Sequence, residues 1–136
     1  MPKTILQKIS FKEIPVATLY NTYMDSKEHS ASIGAAVKVQ KKEGSKFSAH
    51  GDYIVGKNLQ LIRDRLIVQS WRASDWEASD IDSTFILYFE KQGSGGVIHM
   101  IHANVPDKEY EEIKKGWDDF YWKPWKKYFA AAKVKK

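Results

Sequence analysis

The closing stretch Gly-Trp-Asp-Asp-Phe-Tyr-Trp-Lys-Pro-Trp-Lys-Lys-Tyr-Phe, residues 116–129, decides the fold. Seven aromatic side chains fall in the thirteen positions from Trp117 to Phe129. On a helical projection of about 100° per residue, Tyr110, Ile113, Trp117, Phe120, Tyr121, Pro124 and Tyr128 share roughly 100° of arc, one core-facing stripe. Trp122, Trp125 and Phe129 form a second stripe beside it. A helix so rich in rings needs a wide concave partner, and the alternating segments upstream predict a curved antiparallel sheet.

Working outward, Asp107 reads as the N-cap, with Glu109, Glu111 and Glu112 near the positive end of the helix dipole. A helix from Asp107 to Ala132 is about 39 Å long at 1.5 Å per residue, enough to cross a whole sheet. Before it, five strands are predicted: Ala35 to Lys41, Phe47 to Val55, Asn58 or Leu59 to Ile62 merging toward Arg65 to Arg72, Thr84 to Glu90, and Gly96 to Val105. Residues 42–45, 55–58 and 92–96 carry hairpin chemistry between them. The last is glycine-rich but leads into a strand rather than a helix, which argues against a phosphate loop. Thr4 to Phe11 alternates Ile5, Gln7, Ile9 and Phe11 with polar neighbours and reads as an opening strand. Pro15 starts a helix carrying Val16, Leu19, Tyr20 and Tyr23, Asp25-Ser26 breaks it and caps a second, and Gly34 ends that second helix. The expectation is an α+β helix-grip fold: about six antiparallel strands wrapped round a long C-terminal helix, with two short helices after the first strand.

The chain has 136 residues, 43% hydrophobic and 29% charged, which suits one domain spanning residues 1–136. It contains no cysteine, so disulfides, thiol nucleophiles and cysteine zinc sites are excluded. No signal-peptide core or membrane-length apolar run is present, and a cytoplasmic protein without membrane association is expected. The net charge of +5 is mostly lysine, gathered at Lys123, Lys126, Lys127, Lys133, Lys135 and Lys136, which read as a solvated terminus. Arg63, Arg65 and Arg72 are the only arginines, too few for the arginine-and-aromatic groove of a nucleic-acid binder.

An ordered set of residues resembles a known family. Gly51 and Gly56, then Arg65-Leu66-Ile67-Val68-Gln69-Ser70-Trp71-Arg72 with Trp76, then Asn104-Val105-Pro106, and finally Gly116-Trp117 with Tyr121 to Phe129, are similar to the activators of the heat-shock protein 90 ATPase. The likeness is to their C-terminal-type domain, within the START-like, or SRPBCC, helix-grip superfamily. It implies a non-catalytic co-chaperone-like interaction module with a heat-shock protein 90-type partner. In that family the domain type follows a separate N-terminal domain that carries much of the stimulation.

Strand parity taken from the resemblance places Ile67, Gln69, Trp71, Phe85, Leu87, Phe89, Ile98, Met100 and His102 on the concave face, with Trp117, Phe120 and Tyr121 opposite them. Either these rings fill the interior, or they line a cavity for a small hydrophobic ligand, with Gln69, His102 and the Tyr121 hydroxyl as its polar groups. A lyase or cyclase using the same pocket is the third reading. No catalytic residue, cofactor or metal site is assigned. His99 and His102 point to opposite faces of a strand, and His29 and His50 stand on separate elements. No serine sits in a nucleophile elbow, and Asp75, Glu77, Asp80 and Asp82 read as a solvated loop. Trp76, Trp122, Trp125 and Phe129 are either exposed anchors for a partner or packing over the cavity mouth and sheet edge.

Overall fold

A computed structural model describes residues 1–134. Strands β1 (Lys3–Phe11), β2 (Val37–Lys38), β3 (Lys46–Ala49), β4 (Ile54–Ile62), β5 (Leu66–Ala73), β6 (Ser83–Gln92) and β7 (Gly95–Val105) form one antiparallel sheet. The spatial order is β1-β7-β6-β5-β4-β3-β2. Helices α1 (Val16–Met24) and α2 (Ser26–Ile33) follow β1, and α3 (Tyr110–Trp117) and α4 (Lys123–Val134) close the chain. The result is an open, curved antiparallel sheet with a long C-terminal helical segment, the helix-grip arrangement.

Local chemistry sets the boundaries. The Asp25 side chain accepts the Glu28 N–H at 3.0 Å and caps α2, and Gly34, at φ 68°, ends it by donating to the Ser30 carbonyl. β5 alternates buried and half-buried along its whole length, as a strand with one core face must. The core lies between that concave face and the closing helices, with Ile67, Phe85, Leu87, Ile98 and Trp125 all sealed.

The sheet has seven strands rather than six because the middle of the chain is divided differently. The expected strand Phe47 to Val55 breaks at a turn where His50 (φ 52°) and Gly51 (φ 68°) are both left-handed. The expected turn at residues 55–58 is the interior of β4. Gly56 is there for close approach: a Cβ on it would lie 1.8 Å from the Ser70 carbonyl oxygen of the neighbouring strand. The strand expected over Ala35 to Lys41 shrinks to Val37–Lys38.

The closing helix is not continuous. A 3-10 turn (Asp107–Glu109) opens it, Asp107 pairs with Lys3 at 3.1 Å, and no side chain caps the start. A π turn, Asp118–Trp122, separates α3 from α4, with the Lys123 N–H donating to the Asp118 carbonyl. Only Lys123 separates it from Pro124, which cannot donate to the Phe120 carbonyl and would crowd it. In a π turn, neighbours on one face stand four and five positions apart. Trp117, Tyr121 and Trp122 are therefore buried together, and Phe120, expected to face the sheet, is 59% exposed. Of the lysines expected to form a solvated terminus, Lys135, Lys136 and the side chain of Lys133 lie outside the described residues.

Candidate functional site

Most polar side chains beneath the closing helices bond to one another, the exceptions among the described residues being the buried indole N–H groups of Trp76 and Trp125. The Tyr23 hydroxyl donates to Gln69 Oε1 at 2.9 Å, and Gln69 Nε2 donates to Asn58 Oδ1 at 2.8 Å. Asn58 Nδ2 in turn donates to the carbonyls of Gln40 and Lys42, tying β4 to the loop that precedes β3. A second chain fixes a histidine tautomer. Trp117 Nε1 donates to His102 Nδ1 at 3.0 Å, so the ring proton sits on Nε2, 2.8 Å from the Ser83 hydroxyl, which itself donates to the Trp71 carbonyl. His29 has the other tautomer: Nδ1–H faces the Tyr23 carbonyl at 2.7 Å, and Nε2 accepts from the Tyr121 hydroxyl at 2.8 Å.

Burial holds these groups neutral. It lowers His102 to about 3 and His29 to about 4, the latter against a backbone bond to Tyr23 that acts in the opposite direction. The same desolvation raises the phenols of Tyr23 and Tyr121. Gln69, His102 and Tyr121, the polar candidates for an interior ligand, each have their partners already.

The structure brings Ile67, Trp71, Phe85, Leu87, Phe89, Ile98, Met100 and His102 together on the concave face, all buried. Trp117 lies over them, stacked on Phe85 with ring centres 4.4 Å apart and 7° between planes. Rings occupy the space in which an internal ligand would sit. The four residues nominated as partner anchors are corrected by their burial, since Trp76, Trp122, Trp125 and Phe129 are all covered. Trp125 and Phe129 pack on Phe11 of β1, Trp122 donates to Gln7 of β1 at 2.8 Å, and Trp76 leans on Trp71. Each closes a rim of the core, which is why none is available to a partner.

At the mouth of the grip lies an open cleft of about 410 Å³. The end of α2 (Ile33, Gly34, Ala35), the β3–β4 turn (His50, Tyr53, Ile54) and one face of α3 and the π turn (Glu112, Ile113, Gly116, Trp117, Phe120, Tyr121) surround it, with Trp71 contributing from β5. Only Trp71, Trp117, Phe120 and Tyr121 of the expected lining are here. Two of its polar groups are free: among the described residues neither the His50 ring nor the Glu112 carboxylate has a hydrogen bond or an ion pair. Partial burial lowers the His50 pKa, and the ring meets Phe120 and Tyr121 edge-on at 6.1 and 6.3 Å. Tyr53 is held by Asp75, both carboxylate oxygens lying 3.0 Å from its hydroxyl, and burial together with that bond pushes its phenol up to about 12. The available sequence signal was His50-Gly51-Asp52, turn-forming residues inside a segment otherwise read as strand.

The remaining charged clusters are structural. Arg72 donates to the carbonyls of Asp80 and Glu77 and pairs with Asp82, and Lys108 bridges Glu77 and Asp80, so the loop read as solvated is pinned to β5 and to the turn before α3. His99 pairs with Glu90 on the outer sheet face, opposite to His102. Among the described residues no three His, Asp or Glu side chains converge as a metal site, and no helix is long and apolar enough to cross a membrane.

Residues 13–130 match the family described as activator of Hsp90 ATPase homolog 1-like protein. An uncharacterized Schizosaccharomyces pombe protein is 30% identical over 90% of this chain and 36% of its own length. A Dictyostelium discoideum activator of 90 kDa heat shock protein ATPase homolog is 27% identical over 85% of this chain and 30% of its own. The chain thus spans about a third of these relatives. The crystal structure of an HSP90 activator from Plasmodium falciparum superposes with a TM-score of 0.75 at 25% identity, covering 89% of this chain and 90% of that one.

Proposed function

From the premise that this chain belongs to the activator of Hsp90 ATPase homolog 1-like protein family, we propose that it is a non-catalytic, co-chaperone-like module that binds a 90 kDa heat-shock-type ATPase and biases its cycle by contact alone. The supporting observation is the likeness to the Plasmodium HSP90 activator, which runs over nearly all of both chains. The interior is consistent with it: its acids, bases and amides are bonded to one another, leaving none of them to act on a substrate. The contact surface we assign is the cleft rim, where Phe120 projects beside an apolar hollow. An exposed ring beside a pocket is the usual form of a binding anchor, with truncation costing about 2 kcal/mol or more.

The test measures binding to, and ATP turnover by, the 90 kDa heat-shock ATPase of the same organism. Saturable binding with altered turnover is expected, together with a drop in affinity of roughly thirtyfold in Phe120→Ala. No binding at about 50 μM would remove the proposal, since such an affinity is already weak.

A second reading rests on the cleft itself. Apolar walls with two uncommitted polar groups, His50 and Glu112, suit a small hydrophobic ligand carrying a polar end. Native mass spectrometry of protein purified from its host would show a discrete added mass, removed by Ile113→Trp. Protein of unmodified mass, together with no tryptophan fluorescence change on titration with apolar probes, would eliminate this reading.

A further inference from the structure

β1 forms one edge of the sheet, and its free side is a prepared pairing surface. The two-residue hairpin that closes Gln92 onto Gly95 makes that pair mutually hydrogen-bonded. Alternation along β7 then turns the backbone groups of Gly96, Ile98, Met100 and His102 toward β1, where their partners are Phe11, Ile9, Gln7 and Ile5. The residues between, Leu6, Lys8 and Ser10, point their N–H and C=O groups away from the ladder. The Ser10 carbonyl indeed accepts from the Lys126 ammonium. Among the described residues no side chain reaches the outward groups of Leu6 and Lys8 in the same way.

The flanks of this edge have a distinct chemistry. On the outer face Leu6 is 69% exposed and continues an apolar row through Ile101 to Ile86. On the inner side a groove of about 490 Å³ separates β1 from α3, lined by Gln7, Ile9 and Trp122 with Lys114 and Lys115. Lys8, Lys114 and Lys115 have no ion pair among the described residues, whereas Asp118 in the same groove is paired with Lys123. Glu111 also lines the groove without an ion pair among the described residues, and against it stand the three lysines, so the uncommitted charge along the edge is net positive.

We infer that β1 accepts an extended acidic segment of a partner protein as an eighth antiparallel or parallel strand. The outward groups of Leu6 and Lys8 supply main-chain hydrogen bonds, Leu6 meets an apolar side chain, and Lys8, Lys114 and Lys115 select carboxylates on either side of it. A second copy of this chain is the wrong occupant, because it would bring its own Lys3, Lys8 and Lys12 against the same lysines. The inference stands independently of the chaperone reading.

A fluorescently labelled ten-residue peptide alternating glutamate and valine is titrated into the full chain at low salt and followed by anisotropy. Saturable binding is expected. Lys8→Pro deletes one outward N–H without touching the bonds to β7, and should weaken binding by about fivefold or more, the worth of one net hydrogen bond plus the lost charge. Lys8→Glu, which leaves the backbone intact, should weaken it as well. A peptide N-methylated on every residue, so that neither of its edges keeps an N–H, should not bind, and this arm decides the matter if Lys8→Pro fails to fold. Equal binding of the methylated peptide would reduce the interaction to charge alone and overturn the proposal. Absence of any binding, or sedimentation showing β1 already occupied by a second copy, would overturn it too.

Discussion

The concave core and the cleft at its rim are built from the same kinds of residue, aromatic rings with a few histidines and polar side chains, yet they differ in what their polar atoms bond to. In the core His102 bridges Trp117 and Ser83, His29 bridges Tyr23 and Tyr121, and Gln69 bridges Tyr23 and Asn58. In the cleft, beyond Trp117 and Tyr121, His50 and Glu112 have no such partners among the described residues. Trp71, Trp117 and Tyr121 belong to both regions, one side of each ring sealing the core and the other walling the cleft. A buried polar atom with an internal partner is part of the scaffold. One without a partner, at an open surface, is available to another molecule.

The comparison breaks most readily at Trp117, where the two regions meet. Trp117→Ala removes the ring stacked on Phe85 and strands His102 Nδ1, and should cost about 3–5 kcal/mol in urea unfolding. A loss below about 1 kcal/mol, well under that range, would mean the core is not sealed by this ring.

Acid should separate the two regions next. The folded-state pKa values of His29 and His102 lie far below the ordinary 6.5, so between pH 6.5 and about 4 the unfolded chain binds more protons than the folded one. Their contribution is complete above pH 6.5 and is lost as pH falls, by about 1.4 kcal/mol per unit for each histidine. Unfolding free energies at pH 6.5 and pH 5 should therefore differ by roughly 2 kcal/mol per histidine, and His102→Gln should flatten that slope. A stability unchanged over this interval would show the two rings to be solvated.

Gln69→Leu is a smaller perturbation. It strands the Tyr23 hydroxyl and Asn58 Oδ1 and should cost roughly 1–2 kcal/mol, because Asn58 keeps its bonds to the Gln40 and Lys42 carbonyls. A stabilising result would mean that the amide chain is not closed.

Phe120→Ala should change thermal stability least, within about 0.5 kcal/mol, because the ring is on the surface. A loss comparable with that of Trp117→Ala would place Phe120 in the core after all.

Much of the scaffold was readable before any coordinates. The period-two patterns marked β1, β5, β6 and β7 as strands, the family resemblance supplied the parity that places Ile67, Phe85 and Ile98 on the concave face, and Asp25 and Gly34 marked the ends of α2. What escaped depended on neighbours distant in sequence. Gly56 looks like a turn residue until Ser70 is seen against it, and a regular helical projection carries Phe120 inward because it contains no π turn. Proline at 124 was the available warning, four residues after the carbonyl it would crowd. The indoles of Trp76, Trp122 and Trp125 had two readings because tryptophan serves equally as surface anchor and as seal. Only the placement of Phe11, Gln7 and Trp71 against them decides for the seal. The cleft was invisible for a related reason, since elements far apart in sequence build it: the end of α2, the β3–β4 turn, β5, and α3 with the π turn.

The division between sealed core and open cleft is tested most directly by a crystal structure determined under xenon pressure, because xenon enters apolar voids that are otherwise dry. The account predicts xenon in the cleft beside Ile33, Ile113 and Phe120 and none between Trp117 and the sheet. Xenon beside Met100 or Gln69 would contradict it.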